Sequence, residues 1–314
     1  MIREVPAYWL EFKDFAKPSV VECSAFTSSD GFKLIAYRMG KPTNPAILLA
    51  CPLHVPFLAM YKIALELSHK FYVVSYECRG SAFLDEYIGA ADPSMDRLAA
   101  DLYEIVDWLD RPTLILGWCN SARVIALTIS QDRVRPSGVV LISPSGTADN
   151  SGQHLVRSSM FGPLENLGEK SVERARIALA NYTASPSQET DVDALVMSRL
   201  FGLNFSNGEK FRYYVKSKLR RNGSLPSHYS QSSAFDKMCS KAPVLVIQAD
   251  NDDYISKDSI ISALERNFGV ECHRLLGAGH TPTISHWKEI ADRTSEFYES
   301  IKDEENDSES SLSE

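Results

Sequence analysis

The sequence predicts an α/β protein built on a mostly parallel sheet with helices on both faces. Three observations carry that expectation. Short, continuously apolar runs at residues 46–50, 138–142 and 243–247 suit parallel strands buried on both sides. Segments of helical periodicity at 94–109, 257–268 and 286–301 alternate with such runs, as βαβ units require. One long stretch, 146–237, breaks the rhythm and carries helical patches with no convincing strand.

Residues 20–27 and 32–38 are two extended segments around Asp30-Gly31, a strong hairpin signal. A buried parallel strand follows at 46–50, then helical periodicity at 57–69 and a strand at 71–75. In the helix expected at 94–109, Leu98, Leu102, Ile105, Val106 and Leu109 share a face, and Ser94 is placed to cap it. The strand 112–116 runs through Gly117-Trp118-Cys119-Asn120-Ser121 into a helix at 122–129. Strands at 138–142, 243–247 and 271–275 and helices at 257–268 and 286–301 complete the set, with right-handed crossovers expected. The insertion is expected to form a cap over the carboxyl ends of the strands, where open α/β sheets hold ligands. The expected organisation is a core of 1–145 and 238–302, a helical cap over 146–237, and a disordered tail over 303–314, which is acidic and serine-rich.

Composition narrows the function. With 314 residues, 44% of them hydrophobic, the chain can bury one large core or a core and a cap. A net charge of −8 provides no global basic field, which argues against nucleic acid as the main partner. No apolar run approaches the roughly 20 residues that span a bilayer, and the first residues lack a charged-then-apolar signal, so no membrane insertion is expected. The six cysteines are scattered without a CxxC pair. That is neither a zinc framework nor a disulfide scaffold, so no metal is expected, and the expected compartment is the reducing cytoplasm.

A strand, a tight turn and a helix with a thiol at the tip is the layout of a nucleophile elbow, with Cys119 as the nucleophile. Such a group needs a base, a carboxylate to hold the base, and N–H donors for an oxyanion. The acid is sought just past the strand 243–247, in Asp250-Asn251-Asp252-Asp253. Asp252 is preferred because Ile255, three positions on, anchors the turn; Asp253 and, after the preceding strand, Asp149 are the alternatives. The base is His280, on the glycine-rich loop Leu275-Leu-Gly-Ala-Gly-His280 after the last strand. The order is nucleophile, acid, base. The expected oxyanion donors are the backbone N–H groups of Asn120 and of Leu53, since Pro52 has none. His54 and Trp118 are expected to line the substrate pocket.

On these motifs the chain resembles the α/β-hydrolase superfamily over about residues 20–302. The residues that carry the resemblance are the elbow 117–121, the turn Asp252-Asp253-Tyr254-Ile255, the loop of His280, and Glu77-Cys78-Arg79-Gly80-Ser81, which is similar to the superfamily's Asp-x-Arg-Gly loop. The resemblance implies an eight-stranded sheet with a helical cap and a triad at Cys119, Asp252 and His280, with no cofactor. Two departures stand out. The elbow reads G-x-C-x-S in place of G-x-S-x-G, and the oxyanion loop lacks a His-Gly pair. Within the superfamily the chain resembles thioesterases and acyltransferases that handle fatty or polyketide acyl chains.

The thiol directs the chemistry. An acyl-cysteine is itself a thioester, so exchange with a carrier-bound thioester is nearly balanced, whereas a plain ester or amide is a poorer match. The expected substrates are therefore acyl-CoA or acyl carrier protein thioesters, hydrolysed or transferred through an acyl-cysteine. The alternatives are a cysteine-dependent lactone or ester hydrolase resembling dienelactone hydrolase, and a binding scaffold with an impaired triad.

Overall fold

The computed structural model describes residues 2–3, 5, 9, 12, 15–53, 55–79, 94–145, 171, 174, 199–200, 231–252 and 270–311. Nine strands are described: β1 (Ile2–Arg3), β2 (Glu22–Thr27), β3 (Lys33–Met39), β4 (Ala46–Ala50), β5 (Tyr72–Tyr76), β6 (Thr113–Trp118), β7 (Gly138–Ile142), β8 (Val244–Ala249) and β9 (Glu271–Leu275). They form one sheet in the order β1-β2-β3-β5-β4-β6-β7-β8-β9. Pairing is antiparallel from β1 through β3 to β5 and parallel from β5 to β9. Eight of these strands match the expectation. The ninth is β1, a two-residue edge strand too short to show any period.

The α-helices among the described residues are α1 (Tyr61–Leu67), α2 (Met95–Leu109), α3 (Ser121–Ser130), α4 (Gln231–Cys239), α5 (Pro282–Ser285) and α6 (Trp287–Ser311). They cover both faces of the sheet, which is why β4, β6, β7 and β8 are buried throughout. Alternation along each strand divides the core. Leu48, Val74, Ile115 and Val246 pack with Leu102 of α2, Ile125 of α3 and Phe235 of α4. Ile47, Val73, Leu116 and Ile247 pack on the other face with Ile63 of α1 and Ile290 and Phe297 of α6. Ser94 caps α2 as expected, its Oγ accepting from Arg97 N at 3.3 Å.

Two boundaries move. The helix α4 packs Ala234, Phe235 and Met238 into the core beside α3, so the core resumes before residue 238. The helix α6 runs to Ser311, through most of the stretch read as a disordered tail. Extending a helix already anchored by Ile290, Phe297 and Ile301 needs no new nucleus, and the glutamates there are good helix formers. The cap expected over 146–237 and the helix expected at 257–268 otherwise lie outside the described residues.

Arg79, in the loop after β5, ties the sheet's antiparallel edge to α2. It is buried, with Nε 2.6 Å from Asp101 Oδ2 and Nη1 2.7 Å from Asp30 Oδ2 in the β2–β3 turn. Arg97 joins Asp101 at 3.0 Å and Glu104 at 2.6 Å, and Glu104 accepts from Ser29 N at 2.7 Å. Arg79 also lies over the Phe32 ring. Hydrogen bonds from Arg79 hold the Asp30 carboxyl well below the usual carboxylate range.

Candidate active site

The turn between β6 and α3 forces its first residue into a left-handed conformation, and Cys119 has φ +52°. For a side-chain-bearing residue that costs on the order of 1–3 kcal/mol and needs support from around it. Three hydrogen bonds supply it: Cys119 N donates to Ile142 O at 2.9 Å, while Cys119 O accepts from Ser145 N at 3.1 Å and Ala122 N at 3.3 Å. Ser143, at the end of the neighbouring β7, is also left-handed (φ +39°), its N–H bound to Ile247 O at 2.8 Å. The site therefore sits on two strained strand ends pinned by the parallel ladder.

Gly117 leaves room that Ile125 and Ser121 fill. A Cβ there would collide with the Ile125 side chain and lie 2.8 Å from Ser121 Oγ. Ser121, the departure from the usual glycine, fits because its buried hydroxyl turns back to donate to Trp118 O at 2.8 Å.

Asp252 and His280 come from the loops after β8 and β9. The Asp252 carboxylate is fully buried, its Oδ2 2.9 Å and Oδ1 3.1 Å from His280 Nδ1. With Nδ1 committed to Asp252, Nε2 is the nitrogen left for the Cys119 thiol, to which His280 is also hydrogen-bonded. Burial works against a charged imidazole here. The negative charge of Cys119 and the hydrogen bonds with Asp252 and Cys119 outweigh it, raising the His280 pKa to about 10. Trp118 Nε1 donates to His280 O at 3.2 Å and fixes the loop from below.

The fourth element is the loop after β4. Leu53 N donates to Asn120 Oδ1 at 3.0 Å, while Asn120 N has no hydrogen-bond partner among the described residues.

No family model and no curated protein sequence matches the chain. Solved structures do. An alpha/beta hydrolase fold protein from Burkholderia ambifaria superposes with TM-score 0.65 at 14% identity, over 86% of this chain and 96% of its own. The chain has the α/β-hydrolase fold. An enol-lactonase from Burkholderia xenovorans LB400 is similar at TM-score 0.67 and 15% identity, over 87% of this chain and 99% of its own. The thioesterase domain from the curacin biosynthetic pathway is similar at TM-score 0.59 and 16% identity, over 87% and 98%.

On this α/β-hydrolase fold, Cys119, Asp252 and His280 are brought together, and Asp252 is the carboxylate on the histidine. Asp253, Asp149 and His54 lie outside the described residues. Trp118, expected to line the substrate pocket, is buried. Its side chain points into the core, 1% exposed, because successive residues of a strand alternate faces and β6 is covered on both. The Leu53 N–H, expected as an oxyanion donor, is held by Asn120 Oδ1. The sequence reading also missed Trp118 as the anchor of the His280 loop. An indole inside an elbow, needing a partner for its buried N–H, was the available signal. Among the described residues no helix is long and apolar enough to cross a membrane. None of the six cysteines is in a disulfide.

Proposed function

We propose that the protein is an acyl-thioester thioesterase or acyltransferase that works through an acyl-Cys119 intermediate. The observation that carries this reading is the double engagement of His280, with a buried carboxylate on Nδ1 and a thiol at the tip of a strained turn. That arrangement favours a thiolate–imidazolium pair.

The Cys119 thiolate attacks the thioester carbonyl carbon and forms a new S–C bond. The oxyanion is held by Asn120 N–H and by Leu53 N–H once Asn120 Oδ1 has left it. The tetrahedral centre collapses, the carrier thiolate leaves, and it takes the proton from His280 Nε2. Neutral His280 then removes a proton from water, an alcohol or an amine as that acceptor attacks the acyl-cysteine, and thiolate and imidazolium are restored. Asp252 keeps the ring oriented and its charge balanced throughout.

A thioesterase domain and an enol-lactonase share this fold, which favours the reading. Balanced exchange between thioesters favours carrier- or CoA-bound acyl chains over plain esters. The test is intact mass after incubation with hexanoyl-CoA. The wild type should gain one hexanoyl group, and Cys119→Ala should gain none and turn over at least about 10⁴-fold more slowly. A wild type with no adduct and no turnover over a range of acyl-CoA chain lengths contradicts the reading. Partitioning of product when amines or alcohols are added then separates transfer from hydrolysis.

A further inference from the structure

Leu53 N–H is one of two donors that the proposed reaction assigns to the carbonyl oxygen, and Asn120 already takes it. Its occupant, Asn120 Oδ1 at 3.0 Å, is itself an sp² carbonyl oxygen, contributed by the residue next to the nucleophile. Leu53 is buried, so its N–H with no acceptor would be an unpaired buried donor, which folded proteins avoid. Asn120 is only half-buried, and its side chain makes no second hydrogen bond among the described residues. Turning that one side chain releases Leu53 N–H in the same site as the Asn120 N–H, which has no partner among the described residues.

We propose that Asn120 is a substrate-displaced latch on the oxyanion site, its amide oxygen holding Leu53 N–H until an acyl carbonyl oxygen takes its place. The proposal rests on the function proposed above. Replacing a neutral amide oxygen by a neutral thioester oxygen is nearly balanced, so the latch opposes substrate binding. Once the oxyanion forms, its charge-assisted hydrogen bond is roughly twice as strong as a neutral one, and the amide no longer competes. The latch therefore acts on KM, where a residue that merely shaped the loop would act on kcat.

With S-hexanoyl-N-acetylcysteamine as substrate, Asn120→Ala should raise kcat/KM about fivefold, through a lower KM. A fall in kcat of tenfold or more, or no change in either constant, overturns the latch. Amide hydrogen exchange at Leu53 reads the bond without turnover. It should be slow in the wild type and faster by at least tenfold in Asn120→Ala; equal rates overturn the proposal even if no substrate is ever turned over.

A second measurement uses the wild type alone. Hexanal forms a hemithioacetal with Cys119: a new S–C bond, with the thiol proton passing to the former carbonyl oxygen. In a crystal structure of that adduct, Leu53 N should bind the adduct oxygen, with Asn120 Oδ1 turned away. An Asn120 still seated on Leu53 N beside a formed adduct overturns the latch. Failure of hexanal to add to Cys119 counts against the nucleophile itself, and leaves the latch to be judged by the Leu53 exchange rates.

Discussion

Two buried ionic clusters sit on the same sheet, one around Arg79 and one around His280, and they are built differently. Arg79 is saturated. Its guanidinium meets Asp101, Asp30 and Ser28, and the two carboxylates are shared with Arg97, Ser28 and the Phe32 N–H. Such a network holds a β-turn, a loop and a helix together, with every guanidinium nitrogen bonded. His280 instead joins a fully buried carboxylate to a thiol that is partly open to solvent, on a turn held in a strained conformation. Saturation marks a cluster that stabilises; an exposed reactive atom at the end of a buried chain marks one that reacts.

The comparison can be broken from either side. The largest effect is expected at Asp252→Asn, which keeps the shape but holds the wrong tautomer of His280. Turnover of hexanoyl-CoA should fall about 10³- to 10⁴-fold, with a denaturation midpoint close to wild type. Next comes Arg79→Ala, which strands the Asp101 carboxylate in the core. It should cost about 3–5 kcal/mol in urea denaturation, far more than Asp252→Asn does. If the two variants exchange these phenotypes, the distinction between the clusters is wrong. The smallest effect is Trp118→Phe, which removes one hydrogen bond to the His280 loop. It should lower kcat/KM about two- to tenfold, from a bond of about 0.5–1.5 kcal/mol, with KM little changed.

The clusters should also fail at opposite ends of the pH scale. The Asp30 carboxyl is lowered, so its contribution is fully present above its unfolded value near 3.8 and is lost as pH falls through its folded value. His280 is raised, so its contribution is fully present below 6.5 and is lost as pH rises through about 10.

Much of this was legible in the residues. The apolar runs 46–50 and 138–142 are strands at their expected limits, because a strand buried on both faces must be apolar throughout. Asp30-Gly31 turned the first hairpin, with Gly31 at φ +84°. Cys119, Asp252 and His280 could be picked out because each follows a strand in a parallel sheet, so chain order fixes which end of the sheet they reach. What escaped the sequence depends on contacts between distant segments. Nothing local announces that Asn120 reaches back to Leu53, that Trp118 holds a loop 162 residues away, or that Arg79 meets a turn 49 residues earlier. The extent of α6 escaped because composition speaks for an isolated peptide and not for one continuing an anchored helix.

The most direct test of the Cys119–His280–Asp252 unit is the titration of the His280 imidazole, followed by NMR in the wild type and in Cys119→Ala. In the wild type the ring should stay protonated through neutrality and lose its proton only near pH 10; in Cys119→Ala, with the thiolate gone, the midpoint should fall. Titration near pH 6.5 in both proteins would contradict the thiolate–imidazolium pair.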